Sequence, residues 1–290
     1  MDLTKNFLKA KRPCADGFRW FLRHYHEGGD YQDLLDALVA DGRANDACWL
    51  LTQFGPTDAV LAVDSIDAAA IVFAGSLEVR GNIETDSIVR AGRTIHAGGS
   101  IRVDGPVVAG EDIRAAGGIR SKGALEAGGD IKAGWGIEAA GDISSGGDIR
   151  TAWELLCGGR LNLAGNAFVG RDLFSEGPIR CGKSLHAGGD IVGSDNIDVR
   201  NGIVAGGSIR CAGHLEAGWG IKAGGTMAAE GAIRAGESLH AQETIHAGRG
   251  YGVFAGLNVH TDAWETSAMV SASTKPEGLM SGCWSGPSLV

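Results

Sequence analysis

The chain of 290 residues lacks a CxxC pair, an apolar run of membrane-spanning length and any excess of positive charge. The first absence argues against a structural zinc site, which needs closely spaced thiolates or imidazoles. No window approaches the roughly 18 apolar residues of a transmembrane helix, and Met1 to Gly17 holds no signal-peptide core, so a soluble cytoplasmic protein is expected. With 26 Lys and Arg against 35 Asp and Glu, the formal net charge is −9. That balance argues against direct binding of nucleic acid, where neutralising phosphates supplies most of the affinity, and suits a basic protein partner. A nucleophile and base at persuasive spacing, a phosphate loop and carboxylate pairs outside the surface rungs described below are also missing. The chain therefore reads as a non-enzyme, with no catalytic residue, metal or cofactor expected.

What is present is a period. From Ile71 to Leu257 an aliphatic residue returns at every sixth position, through Leu77, Ile83, Val89, Ile95 and onward, and only Ala167 and Tyr251 interrupt it. Two residues later lies a second register, alanine at Ala91, Ala97, Ala109 and Ala115 among others and Val, Ser, Thr or Cys at most other repeats, and glycine follows in many of them. Six fits neither the 3.6-residue helix nor a sheet alternation closed by variable turns; it is the signature of a β-solenoid. Each hexad reads as a large inward residue, an outward one, a small inward one, a glycine corner and two turn residues. Three hexads make a coil of about 18 residues, and at a strand spacing of about 4.8 Å roughly ten coils form a rod about 50 Å long. The predicted fold is mainly β, a three-sided parallel β-helix with a small N-terminal three-helix cap. Its corner glycines are expected to supply positive φ angles.

Three segments follow. Residues 1–57 have helical grammar: Asp16 can cap a helix carrying Phe18, Phe21, Leu22 and Tyr25; a second carries Tyr31, Leu34, Leu35, Leu38 and Val39; a third runs from near Asn45 to Phe54. Such short helices bury little alone, and their expected place is over the open first coil, whose unpaired backbone needs a cover. Residues 58–262 form the solenoid, with Val60, Val63 and Ile66 as a lead-in strand. Residues 263–290 read as an irregular cover or tail. Cys157, Cys181 and Cys211 fall in the small inward register, and three coils, about 14 Å, separate Cys157 from Cys211, too far for a disulfide. They are expected as buried thiols.

Sorting outward residues at intervals of 18 gives a column of His96, Arg114, Lys132, Arg150, Phe168, His186, Val204, Lys222, His240 and Asn258, with no acid in it. Asp112, Asp130 and Asp148 lie two residues before its basic members and are expected to point outward in surface ion pairs. At the corner ending this face, Trp135 and Trp153 are again 18 apart and should stack, with Arg171 next in their column. Exposed tryptophans beside arginines suit an interface anchor. The candidate partner-binding residues are thus Trp135, Trp153, Arg114, Lys132, Arg150, Phe168 and Arg171.

The uninterrupted hexads are similar to those of hexapeptide-repeat acyltransferases, but the order of small and large residues is reversed and no loop is extruded to build a site. The motifs Gly141-Asp142-Ile143, Gly147-Asp148-Ile149 and Gly189-Asp190-Ile191 resemble the bactofilin β-helix, which implies a self-assembling scaffold. The segment Cys14 to Phe54, with Gly17-Phe18-Arg19-Trp20-Phe21, Asp36-Ala37-Leu38 and Trp49-Leu50-Leu51, resembles a helical module of bacterial toxin–immunity neighbourhoods. With a solenoid behind it, the whole resembles the immunity proteins of contact-dependent growth inhibition. That resemblance implies a non-catalytic cytoplasmic inhibitor, monomeric until it forms a heterodimer with a cognate toxin domain, with a nuclease as the expected toxin.

Overall fold

Alternation within each hexad dictates the local structure. A residue such as Ile113 or Ile131 buries its whole side chain, the next faces out, and the alanine after it is buried again. Three residues are enough for one short strand, and the glycine-rich remainder turns the chain. In a computed structural model describing residues 2–26 and 28–287, these strands fall in turn into three parallel sheets of 11, 12 and 13 strands. Within the regular coils each strand pairs with the one 18 residues on, in perfect register: Ile113 with Ile131, Arg114 with Lys132, Ala115 with Ala133. Large residues thus stack on large and small on small, and one continuous core runs the length of the solenoid.

Glycine has a different role from the expected one. The glycines with positive φ (Gly28, Gly42, Gly55, Gly250, Gly256, Gly278, Gly282 and Gly286) lie outside the regular coils. Within them the constraint is space between turns: a Cβ on Gly147 would strike the Asp130 carboxylate of the coil before, and one on Gly128 the carbonyl of Gly110.

The stack is longer than the periodicity indicated, about 12 turns where ten were expected. At the start, Val60–Val63 and Ile66–Ala68 form two strands rather than one lead-in, with Leu61 over Leu77 and Ile66 over Ile83. At the other end the sixfold register is lost. Gly248 to Gly252 inserts a turn, so that Val253, fully buried, takes the place opposite Ile233, while Leu257 is 53% exposed and closes nothing. The segment read as an irregular tail returns to the sheets through Met269–Ser271, Leu279–Ser281 and Cys283–Trp284. Val270 and Ala272 supply core there, at positions that period six could not mark. Residues 288–290 of that segment lie outside the described residues.

The described residues of the N-terminal part form four helices rather than three: α1 (Lys5–Ala10), α2 (Ala15–Tyr25), α3 (Tyr31–Ala40) and α4 (Ala44–Phe54). The first is too short to show a helical period. Cys14, not Asp16, caps α2, its Sγ accepting the Gly17 N–H at 3.2 Å. Asp2–Thr4 pairs antiparallel with Gly28–Asp30, which closes the unit. The helices dock on the outer side of the strand Ile71–Phe73, where Val72, outward in the hexad, is buried among them. Gln32 of α3 completes the junction: its Nε2 donates to the Val72 carbonyl at 3.2 Å and its Oε1 accepts the Ala74 N–H at 2.9 Å. A side-chain amide thereby stands where the next strand would be and satisfies the sheet edge.

Candidate interaction faces

The outward column on the sheet of 13 strands follows from the register. His96, Arg114, Lys132, Arg150, Phe168, His186, Val204, Lys222 and His240 are successive cross-strand partners. Asn258 does not continue it, because the chain has left the hexad register; Ser271 stands opposite His240 instead. Arg114 Nη2 pairs with Asp112 at 2.7 Å and Arg150 Nη2 with Asp148 at 3.2 Å, while Lys132 has no ion-pair partner among the described residues. A groove of about 290 Å³ lies among Arg114, Asp130, Lys132, Asp148 and Arg150. Above it the Arg150 guanidinium covers the Phe168 ring at 4.7 Å, and Phe168 stacks on His186 with centroids 5.4 Å apart.

The aspartates before these cations do more than neutralise them. Asp112 Oδ1 accepts the backbone N–H of Asp130 at 2.7 Å, Asp130 Oδ1 that of Asp148 at 2.8 Å, and Asp148 Oδ1 that of Asn166 at 2.8 Å. They point along the rod as well as outward, each carboxylate capping a turn of the next coil. Asp142, Asp172, Asp190 and Asn196 do the same at other corners. The Asn166 N–H, helped by the Asn166 side chain and Arg150, holds the Asp148 carboxyl below the usual carboxylate range. His240 is depressed by burial and by the nearby Lys222 charge.

The tryptophans occupy corners where this cap is missing. Trp135, Trp153 and Trp219 each lie 17 residues after a glycine (Gly118, Gly136, Gly202), whereas corner glycines such as Gly129, Gly147 and Gly165 lie 17 after a capping aspartate. Removing the carboxylate makes room for the indole. Trp135 is 68% and Trp153 51% exposed. They follow one another in the corner column, with the Trp153 N–H on the Trp135 carbonyl at 3.4 Å, but no ring contact joins the two indoles. Arg171 covers Trp153 instead, at 4.4 Å. Trp135 leans over the sheet of 11 strands, where it lines a groove of about 360 Å³ with Arg102, Arg120, Glu138, Glu154 and Leu156. The seven sequence-derived residues therefore divide between two faces: Arg114, Lys132, Arg150 and Phe168 on one, Trp135 toward the next, with Trp153 and Arg171 at the corner between them.

Residues 1–54 match the YdhT N-terminal domain. The match ends within one residue of the start of Gly55, where α4 stops, and carries no assigned activity to the solenoid. No curated protein and no solved structure matches the chain. Inside the YdhT-like segment, Trp20, Phe21, Leu34, Leu38, Trp49 and Leu50 line a small apolar pocket of about 170 Å³, with the exposed Cys14 at its rim.

One feature escaped the sequence reading. On the sheet of 11 strands the outward positions of three consecutive coils are Leu156, Phe174 and Val192, an apolar stripe above a groove of about 420 Å³. The same 18-residue sorting, applied to the column beginning at Glu84, marks it. Among the described residues no group of three or more His, Cys, Asp or Glu side chains is placed to hold a metal ion, and no helix is long and apolar enough to cross a membrane.

Proposed function

We propose that this chain is a non-catalytic binding protein, a three-sided solenoid that presents a stiff surface to one protein partner, and that the partner is a bacterial toxin domain neutralised in the cytoplasm. The observation that carries the reading is the pair of half-exposed to mostly exposed indoles at Trp135 and Trp153, at the same corner of successive coils in a stack joined by backbone hydrogen bonds. Large aromatic side chains fixed in position lose little ordering entropy on binding and are the usual anchors of protein interfaces. The net charge of −9 suits a basic partner such as a nuclease. Self-assembly end to end, as the bactofilin resemblance would imply, is disfavoured by the helical unit and Gln32 bonded to the edge of the first coil.

The test is co-expression with the toxin domain encoded immediately upstream. The wild-type chain is expected to restore growth, and a folded Trp135→Ala, Trp153→Ala double variant to lose that protection. Full protection by the double variant, or an upstream gene that encodes no toxin, overturns the reading. Light scattering of the purified chain is expected to give a monomer.

A further inference from the structure

The spacing of the apolar stripe selects its occupant. Leu156, Phe174 and Val192 stand on parallel strands, so their side chains repeat at about 4.8 Å and span about 9.6 Å along the rod. An α-helix lying parallel to the rod presents residues i, i+4 and i+7 at a rise of about 5.4 Å per turn, about 10.5 Å in all. An extended strand presents i, i+2 and i+4 over about 13 Å and falls out of step by the third residue.

Charge supplies the second condition. At one end of the stripe Glu138 is held by Arg120 at 2.7 Å, and at the other Arg210 is held by Asp190 at 3.1 Å, so both ends are neutralised. Glu154, immediately before the strand of Leu156, and Glu176, immediately after the strand of Phe174, are exposed and have no basic partner among the described residues. They stand on opposite flanks of the stripe, because one precedes its strand and the other follows. Glu176 and Val192 line this groove, Glu154 and Trp135 the adjoining one, and Leu156 borders both.

We infer that the Leu156, Phe174 and Val192 groove receives an amphipathic helix of a protein partner. That helix lies along the rod axis, with apolar residues at i, i+4 and i+7 and Lys or Arg on both sides of that ridge. The inference rests on the reading that the rod binds protein, and it names the kind of surface bound. Helices in grooves are held through such i, i+4, i+7 anchors. Phe174, 39% exposed at the centre of the stripe, is the main contact.

The experiment uses the full chain and a fluorescein-labelled helical peptide of about 18 residues carrying leucines at i, i+4 and i+7 between lysines, read by fluorescence anisotropy. Two control peptides replace the lysines by glutamates, or alternate leucine and lysine so as to favour a strand. Only the lysine-flanked helix is expected to bind. Phe174→Asp is expected to weaken it at least tenfold, although the added negative charge would strengthen any nonspecific attraction. Glu154→Gln with Glu176→Gln is expected to weaken it several-fold and to flatten its salt dependence. Circular dichroism of each variant confirms the fold, which an outward position leaves intact. Equal binding of a control peptide, unchanged binding by Phe174→Asp, or a dimer of the chain that Phe174→Asp dissolves would overturn the assignment. Loss of toxin protection in the tryptophan variant with peptide binding intact would separate this groove from the corner contact.

Discussion

Gly147 carries no side chain because the Asp130 carboxylate occupies the space where its Cβ would be. That carboxylate accepts the N–H of Asp148, the residue next to Gly147, at 2.8 Å. Glycine and aspartate are thus two halves of one device, repeated from coil to coil: Gly129 with Asp112, Gly165 with Asp148, Gly189 with Asp172. The Gly-Asp-Ile wording of the repeat is a stacking rule, with the glycine accommodating the cap from below and the aspartate providing the next one.

Gly147→Ala is expected to push the Asp130 carboxylate off its partner and to cost about 1.5 to 3 kcal/mol, the range for a hydrogen bond to a charged group. In an Asp130→Gly background the same alanine is expected to cost much less, as Trp135 already tolerates a side chain above Gly118. Urea midpoints of the two single variants and the double variant measure the coupling, and additive effects would refute it.

Acid should weaken this ladder at Asp148. Its folded-state carboxyl titrates below the unfolded value, chiefly because of the Asn166 N–H, so the unfolded chain binds the proton first as pH falls. The stabilisation is therefore complete above the ordinary carboxylate range and is lost as pH drops through the lowered folded value. The stability difference between wild type and Asp148→Ala is expected to shrink from pH 6 toward pH 2, measured as denaturation midpoints across that range.

Gln32→Ala removes both bonds to the strand Ile71–Phe73 and its neighbour Ala74. An N–H left without an acceptor costs about 1 to 3 kcal/mol, and in a solenoid that cost stays local because each coil touches only its neighbours. Hydrogen exchange is expected to speed up at Ala74 and in the first coils, with amides near Ile149 unchanged.

Ala133→Leu places a second bulky side chain in the small register, beside Ile131 and between Ala115 and Thr151. Overpacking of this kind costs about 1 to 3 kcal/mol, whereas Lys132→Leu, one position away and outward, is expected to change the thermal midpoint little.

Cys157, Cys181 and Cys211 are buried, and desolvation pushes each thiol above its ordinary range, so all three are protonated near neutral pH. Cys14 is exposed. A thiol reagent at pH 7.5 is expected to label Cys14 quickly and those three only on unfolding.

Side-chain alternation is a local property, so the parallel solenoid, its 18-residue coil, the inward large and small registers and the presence of N-terminal helices could all be read along the chain. So could the basic column, because perfect register turns an interval of 18 into adjacency. The side to which Trp135 leans could not, since a corner borders two faces and only packing chooses between them. Nor could the ends: Val253 and Val270 join the core after insertions of different length, which no fixed period marks.

The sequence by itself determined that this polypeptide winds into stacked coils, because burying one large and one small side chain per six residues admits no helix and no flat sheet. Only the tertiary structure decided why glycine is needed, what the aspartates hold and which outward residues share a groove. Those depend on the few ångströms between one turn and the next, a distance that exists only once the coils are stacked.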